Sequence, residues 1–82
     1  MQNTDAASKM QHDVAGAVRA ELARRRISQT AMARHFGWSQ QTISRRMTGA
    51  VPFDVAELAA VAEFLGVPVA SFLPPTDSAS AA

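Results

Sequence analysis

Apolar residues recur along this chain at the spacing of helices rather than of strands. Near the N-terminus they stand at every fourth position, at Met10, Val14, Val18 and Leu22. Residues four apart share one face of an α-helix, so this stripe predicts a first helix from Ser8 or Lys9 to Arg25. A second apolar stretch predicts a fourth helix over 55–65, and Pro68 fits the first position of a short fifth helix.

Three residues of the types that cap helix N-termini stand just after apolar residues, and they are Ser28, Ser39 and Asp54. Each follows an apolar residue and has another four positions later, which is the arrangement of a hydrophobic staple. Glu57 stands three residues after Asp54 and completes a capping box with it. These signals predict a second helix over 28–36, a third over 39–48 and the start of the fourth.

The second and third helices are joined by a single glycine in the segment SQTAMARHFGWSQQTISRRMTG, residues 28–49. Gly37 is the pivot, because a chain that reverses this tightly needs a left-handed residue, which costs a side chain with a β-carbon about 1 kcal/mol or more. Ala33 and Ile43 stand where two helices that cross at a steep angle must touch. The segment therefore predicts two short helices in the spacing that presents a helix to DNA.

The net charge of +1 conceals an uneven distribution. Residues 19–46 hold seven arginines against the single acid Glu21, whereas residues 1–18 carry a net charge of −1 and residues 47–82 one of −4. DNA affinity follows the local field of the face that meets the phosphates. The arginine run 24–26 has a second interpretation, as a solvated helix end favoured by the dipole. Beside this helix pair we favour the phosphate interpretation.

Length and composition limit the class of protein. The 82 residues make one domain that buries enough surface for a helical core but not for an enzyme's deep cleft as well. Without cysteine there is no disulfide framework, thiolate metal site or cysteine nucleophile. The polar N-terminus MQNTDAAS is unlike a signal peptide, and acids, Gly66 and Pro68 interrupt the most apolar stretch. We expect a soluble cytoplasmic protein.

Other constellations of chemistry-bearing residues are weak. His12 and His35 are the only histidines, and neither has a carboxylate at ligand spacing, so we expect surface residues and no metal. No serine, histidine and acid arrangement and no glycine-rich phosphate loop appears, so we expect neither an enzyme nor a cofactor. Trp38 precedes the cap Ser39 and is expected to pack the third helix against the core rather than to stack on bases.

The run SQQTISRR and, further on, PFDVAEL and FLGVP carry a resemblance to a known family. With the helix pair they resemble the helix-turn-helix regulators of the phage repressor and Cro type, the XRE-like family, over about Met10 to Leu73. The resemblance implies an all-α, compact five-helix domain of the lambda-repressor type, over residues 9–73. The end segments, 1–8 and 74–82, are small and polar and are expected to be mobile. It implies a sequence-specific transcriptional regulator that occupies an operator in double-stranded DNA.

Helical geometry divides the third helix into two faces, with Ile43 and Met47 on the inner one. The resemblance implies that this helix enters the major groove. There glutamine can pair with adenine and arginine with guanine, each for roughly 1–3 kcal/mol of discrimination. The residues expected to read bases are Gln40, Gln41, Ser44 and Arg45. The alternative for the two glutamines is that they are ordinary exposed helix residues.

Hydroxyls, charges and helix N-termini beside that face suit the DNA backbone. In the resembling family a glutamine at the position of Gln29 contacts phosphate and supports the first base-reading glutamine. The residues expected to contact phosphate are Gln29, Thr30, Arg34, Ser39, Thr42, Arg46 and Thr48.

Arg46 departs from the family pattern, in which an apolar residue is common at this position. Its helical angle points toward the core, where a lone charge is expensive, so the guanidinium must snorkel to the surface or meet an acid. The candidate acids are Asp54, Glu57 and Glu21. We expect a structural role, or a phosphate contact at the helix edge, rather than base reading.

One recognition helix reads too few base pairs for selectivity, whereas two copies related by a two-fold axis present two helices about 34 Å apart. We therefore expect a homodimer, at least on DNA, on an inverted-repeat operator, with affinity that falls steeply with salt. The acidic C-terminal half is expected to face away from DNA and to supply the subunit contact. The rival class is a protein-interaction module of the same fold, such as an antitoxin-like or anti-repressor partner.

Overall fold

The computed structural model describes residues 2–73, with side chains from residue 6 onward. This part of the chain has no strand and four α-helices, which are α1 (Gln2–Arg24), α2 (Gln29–Phe36), α3 (Gln40–Thr48) and α4 (Val55–Leu65). A 3₁₀ turn, Val69–Phe72, follows. The predicted all-α class is confirmed for these residues. The mobile tail predicted at 74–82 lies outside them, as does residue 1.

The predicted start of the first helix is wrong. α1 begins at Gln2, six residues before Ser8, so the segment 1–8 that was expected to be mobile is helical from Gln2 onward. Apolar periodicity does not report these first turns, because they carry no apolar stripe. Ala6 and Ala7 are the strongest of helix formers and favour the extension without leaving a pattern.

The predicted fifth helix is also wrong, since Val69–Phe72 is a single 3₁₀ turn of four residues. The Ser71 amide donates to the Pro68 carbonyl at 2.9 Å, and the Leu73 amide to the Ala70 carbonyl at 3.1 Å. Leu73 has left the helical region, with φ −95° and ψ 144°. A residue that precedes a proline disfavours the α conformation, and residue 74 is a proline, so the chain has room for one turn only.

All four helices and the 3₁₀ turn contribute apolar side chains to one core: Val14, Val18, Leu22, Met32, Ala33, Ile43, Met47, Leu58, Val61, Ala62, Leu65 and Phe72. Each large side chain stabilises the fold by about 1.5–3 kcal/mol when it leaves water. No polar or charged residue of the described part is buried. Four large apolar residues of the predicted elements lie outside the core, because Met10 is 52%, Val55 87%, Val69 41% and Leu73 46% exposed.

Aromatic rings fill the space beside the joint between α2 and α3. The Phe36 and Trp38 rings stack with centroids 4.9 Å apart, and Phe36 meets Phe64 of α4 edge to face at 5.5 Å. Trp38 also lies against Phe53, at 6.5 Å. Trp38 is half-buried and packs against the core, which confirms the packing role predicted for it.

The chain leaves α1 through a left-handed residue, and this residue is an arginine. Arg26 has a φ of 57° and is the one non-glycine residue with positive φ between residues 2 and 73. The Ile27 amide donates to the Leu22 carbonyl at 2.9 Å and the Arg26 amide to the Ala23 carbonyl at 3.1 Å, which is the hydrogen bonding of a Schellman motif. This conformation costs a residue with a β-carbon roughly 1–2 kcal/mol.

Candidate nucleic-acid interface

The joint between α2 and α3 is built on Gly37. Its φ of 71° and ψ of 26° place it in the left-handed region that the sequence predicts for the pivot. Its amide donates to the Arg34 carbonyl at 3.2 Å, and the Trp38 amide donates to the Ala33 carbonyl at 2.8 Å. Apart from Gly37 itself and its two chain neighbours, no residue has an atom within 4 Å of the place where a Cβ on Gly37 would stand. Glycine is therefore required here by backbone conformation and not by lack of space.

The three predicted N-caps are confirmed. Ser28 accepts from the Ala31 amide at 3.0 Å, and Ser39 accepts from the Thr42 amide at 3.0 Å. Asp54 accepts from the Glu57 amide at 2.7 Å, and the Glu57 carboxylate accepts from the Asp54 amide at 3.0 Å, which completes the capping box. Each cap satisfies an amide that has no partner within its helix, so the starts of α2, α3 and α4 are fixed locally.

α3 divides into two faces as predicted. Ile43 is fully buried and Met47 is 2% exposed, so these two side chains anchor the helix in the core. The four residues predicted to read bases are all exposed, and they are Gln40, Gln41, Ser44 and Arg45. α3 therefore presents a polar face of amides, a hydroxyl and a guanidinium on a rigid support.

The residues predicted to contact phosphate lie at or near the exposed side of α2 and α3. Gln29 and Thr42 are half-buried, whereas Thr30, Arg34 and Ser39 are exposed. The Ser39 hydroxyl donates to Thr42 Oγ1 at 3.0 Å, so its proton is already used within the chain. The Thr42 hydroxyl only accepts in this contact and can still donate its own proton.

Thr48 is exposed, and its hydroxyl makes two hydrogen bonds within the chain. It donates to the Arg45 carbonyl at 3.2 Å and accepts from the Ala50 amide at 3.3 Å. Thr48 thus closes the C-terminal end of α3.

Arg46 is turned toward α4 and held there by an acid. Its Nε donates to Glu57 Oε1 at 3.1 Å and its Nη2 to Glu57 Oε2 at 3.2 Å, so of the three candidate acids Glu57 is the partner. The pKa of Glu57 is lowered, chiefly because it accepts from Arg46, with burial opposing and the Asp54 amide assisting. The pKa of Arg46 is raised, chiefly by the same hydrogen bonds. The pair stays ionised and joins the third helix to the fourth.

The C-terminal end of α3 is held by polar side chains of α1 that the sequence did not single out. Gln11 Nε2 donates to the Gly49 carbonyl at 3.2 Å, and Arg19 Nη1 donates to the Met47 carbonyl. Cationic and amide donors at a helix C-terminus satisfy carbonyls that lack partners. The sequence does contain a signal for Gln11. This residue stands seven positions before Val18 and so lies on the apolar stripe of α1, where a polar side chain indicates a specific hydrogen-bond partner.

The arginines around the helix pair differ in whether an acid neutralises them. Arg24 Nη1 lies 3.1 Å from Glu21 Oε2, and Arg25 Nη1 contacts Glu21 Oε1. Of the other arginines, Arg46 pairs with Glu57 and Arg19 donates to a backbone carbonyl. Arg26, Arg34 and Arg45 are exposed, and no carboxylate of the described side chains lies within 4 Å of them. These three charges remain available to an anionic partner.

Among the described residues, no group of three or more histidines, aspartates or glutamates is placed to hold a metal ion. None of the described helices has the length and apolar character that crossing a membrane demands.

Comparisons with known proteins agree with this geometry. A family model described as a helix-turn-helix domain matches residues 13–72. The crystal structure of the DNA-binding domain of BldD is similar to this chain with a TM-score of 0.72 and 25% identity, over 82% of this chain and 97% of that one. The structure of the S. venezulae BldD DNA-binding domain gives 0.70 and 24%, over 80% and 99%. No curated protein sequence matches the chain.

Proposed function

This chain belongs to the helix-turn-helix domain family, and from that premise we propose that it is a sequence-specific, non-enzymatic regulator of transcription that binds an operator in double-stranded DNA. One observation carries the proposal. The polar face of α3, made of Gln40, Gln41, Ser44 and Arg45, is fully presented while Ile43 and Met47 hold the helix in the core. A helix with this division is the element that helix-turn-helix proteins place in the major groove.

The chemistry of this face suits base edges. Gln40 and Gln41 each offer a donor and an acceptor, which match the N6 and N7 positions of adenine, and Arg45 offers a fork that matches O6 and N7 of guanine. Ser44 can donate or accept. A good bidentate contact discriminates against a wrong base by roughly 1–3 kcal/mol, so two or three of them provide useful selectivity.

The flanking residues would fix the register on the DNA backbone. Arg34 and Thr30 on α2 are exposed and free to donate to phosphate, and the Thr42 hydroxyl retains its proton. Gln29 at the start of α2 is the candidate for supporting Gln40 while it donates to a phosphate. Ser39, Thr48 and Arg46 are weaker candidates, because their polar groups are already engaged within the chain.

Two copies on an inverted repeat are the arrangement that we propose on DNA. A single α3 covers only a few base pairs, whereas two copies related by a two-fold axis read half-sites about one helical turn apart. The protein would then act in the cytoplasm as a repressor that occupies its operator.

A protein-interaction module is the second candidate, and an apolar groove favours it. The groove has a volume of about 300 Å³ and is lined by Met10, Val14, Phe53, Leu58 and Leu73, among others. Apolar surface of this kind is typical of contacts between proteins. The same groove would serve a dimer of the regulator, so only DNA binding separates the two functions.

Selection from a pool of random duplexes, followed by sequencing and gel shift, tests the proposal. We expect an enriched inverted repeat with half-sites centred about 10 base pairs apart and two protomers per duplex in analytical ultracentrifugation. The variant Glu63→Gln, at an exposed position of α4, is the control and should select the same sequence. If the protein is folded and enriches no sequence, the proposed DNA regulation is rejected and the protein-interaction module is favoured.

A further inference from the structure

Arg26 occupies a backbone conformation that the rest of the described chain reserves for glycine. Positive φ occurs at Gly37, Gly49, Gly66 and Arg26, and the φ of Arg26 is 57°. Because glycine and asparagine adopt this region far more readily than arginine, the residue weakens the end of α1 relative to either of them. A strained residue that persists invites a functional explanation.

The left-handed backbone also separates Arg26 from its two neighbours. Arg24 and Arg25 are three and four residues after Glu21 on the helix, and both contact its carboxylate. Arg26 has left the helix. It is exposed, and none of the carboxylates in residues 6–73 lies within 4 Å of it. Arg24 and Arg25 share the one negative charge of Glu21, and Arg26 is the one of the three consecutive arginines that contacts no described carboxylate.

The position of Arg26 along the chain places that charge beside the helix-turn-helix. Arg26 stands two residues before Ser28, the cap of α2, and α2 packs against α3. When α3 lies in the major groove, the start of the preceding helix faces the sugar-phosphate wall of the groove. A long cationic side chain just ahead of that start is within reach of a phosphate.

We propose that Arg26 binds a DNA phosphate from outside the helix-turn-helix, and that its strained backbone is retained because glycine or asparagine would lose this contact. The inference rests on the proposed function, since it assumes that α3 enters the groove. It assigns to one residue two effects of opposite sign, lower stability of the free protein and higher affinity for DNA.

The test compares Arg26→Asn and Arg26→Gly with Arg26→Lys and with Arg24→Gln. The Arg24 variant removes an equal charge near the same helix end, together with the exposed contact of Arg24 with Glu21, so it shows what the loss of a charge there does to Tm and to DNA binding. Thermal unfolding gives Tm for each variant. Fluorescence anisotropy with a random-sequence duplex, between about 50 and 200 mM salt, gives Kd and its salt dependence.

We expect Arg26→Asn and Arg26→Gly to raise Tm by a few degrees relative to the parent, because they relieve the backbone, whereas Arg24→Gln should not raise it. We expect the same two variants to bind DNA several-fold more weakly, with the slope of log K against log salt reduced in magnitude by about one. Arg26→Lys keeps both the charge and the strain, so its Tm, Kd and slope should stay near those of the parent.

The outcomes separate this inference from the function on which it rests. If the parent protein binds no DNA, the proposed function fails. If the parent binds DNA and the Arg26 variants match it, or weaken binding no more than Arg24→Gln does, the phosphate contact is rejected alone. If Tm falls or stays level in the asparagine and glycine variants, the left-handed backbone of Arg26 does not lower the stability of the protein. The inference is then also rejected.

Discussion

Arg46 and Glu57 face each other across the gap between α3 and α4 with two parallel hydrogen bonds, at 3.1 and 3.2 Å. Each side chain is 20% exposed, so the pair is shielded from most of the solvent. The same carboxylate closes the capping box of α4 through the Asp54 amide. One glutamate thus joins the helix that would read DNA to the start of the next helix.

Arg46 and Glu57 should contribute jointly to the free energy of unfolding. Arg46→Ala should destabilise the domain by about 1–3 kcal/mol, because it leaves a partly buried carboxylate without its donor. Glu57→Gln keeps an oxygen for the Asp54 amide and removes the charge, so it isolates the ion pair from the cap. Urea unfolding of the parent, both single variants and the double variant gives the coupling free energy, and strictly additive losses would show that the pair contributes nothing jointly.

The pair should also make the free energy of unfolding depend on pH in the acidic range. The pKa of Glu57 is lowered in the folded protein, so the unfolded chain binds its proton first as pH falls. This contribution is complete above the unfolded value of about 4.3 and is lost as pH falls through the lower folded value. Glu57→Gln should therefore flatten the acid limb of unfolding free energy against pH. A limb of equal steepness in the variant would contradict the lowered pKa.

Gly49 should tolerate alanine much less well than Gly37. A Cβ on Gly49 would stand 2.9 Å from His12 Cδ2 and 3.1 Å from its Cα, and φ there is 86°, whereas Gly37 has open space. Gly37→Ala should cost only the backbone term of about 1–2 kcal/mol, and Gly49→Ala should add about 1–3 kcal/mol for overpacking. Denaturant unfolding measures both. His12→Ala should restore part of the Gly49→Ala loss, and equal losses at the two glycines would refute the steric argument.

The base-reading residues should separate specific from non-specific binding. Gln40→Ala and Gln41→Ala should each weaken operator binding by roughly 1–3 kcal/mol, with little change on random DNA and in Tm. Arg45→Ala should weaken both kinds of binding, because it also removes a charge. Glu63→Gln again serves as the control for surface change. Operator affinity that survives the double glutamine change would overturn the proposed docking of α3.

Local signals account for what was predictable in the fold. Ser28, Ser39 and Asp54 cap helices through contacts within three residues, so the sequence alone identifies them. The start of α1 is not predictable in this way, because the apolar stripe begins only at Met10 and marks no earlier helical turn. The 3₁₀ turn likewise depends on how few residues lie between Pro68 and the next proline.

The candidate site was predictable where one helix determines it and not where two helices meet. The exposed face of α3 follows from helical angles and the burial of Ile43 and Met47. The donors from Gln11 and Arg19 reach α3 only because α1 packs across its C-terminal end. The sequence offered three acids for Arg46, and only the folded structure, which brings the start of α4 within reach of this side chain, selects Glu57.

Trp38 gives the protein an optical probe at the joint that matters most. It is the single tryptophan of the chain, one residue after Gly37, and its indole is half-buried between Phe36 and Phe53. Its emission should lie at short wavelength while α2 and α3 hold their crossing and should shift to long wavelength when the joint opens. Unlabelled protein can therefore reveal whether binding a duplex leaves that joint intact, and at what concentration of denaturant it comes apart.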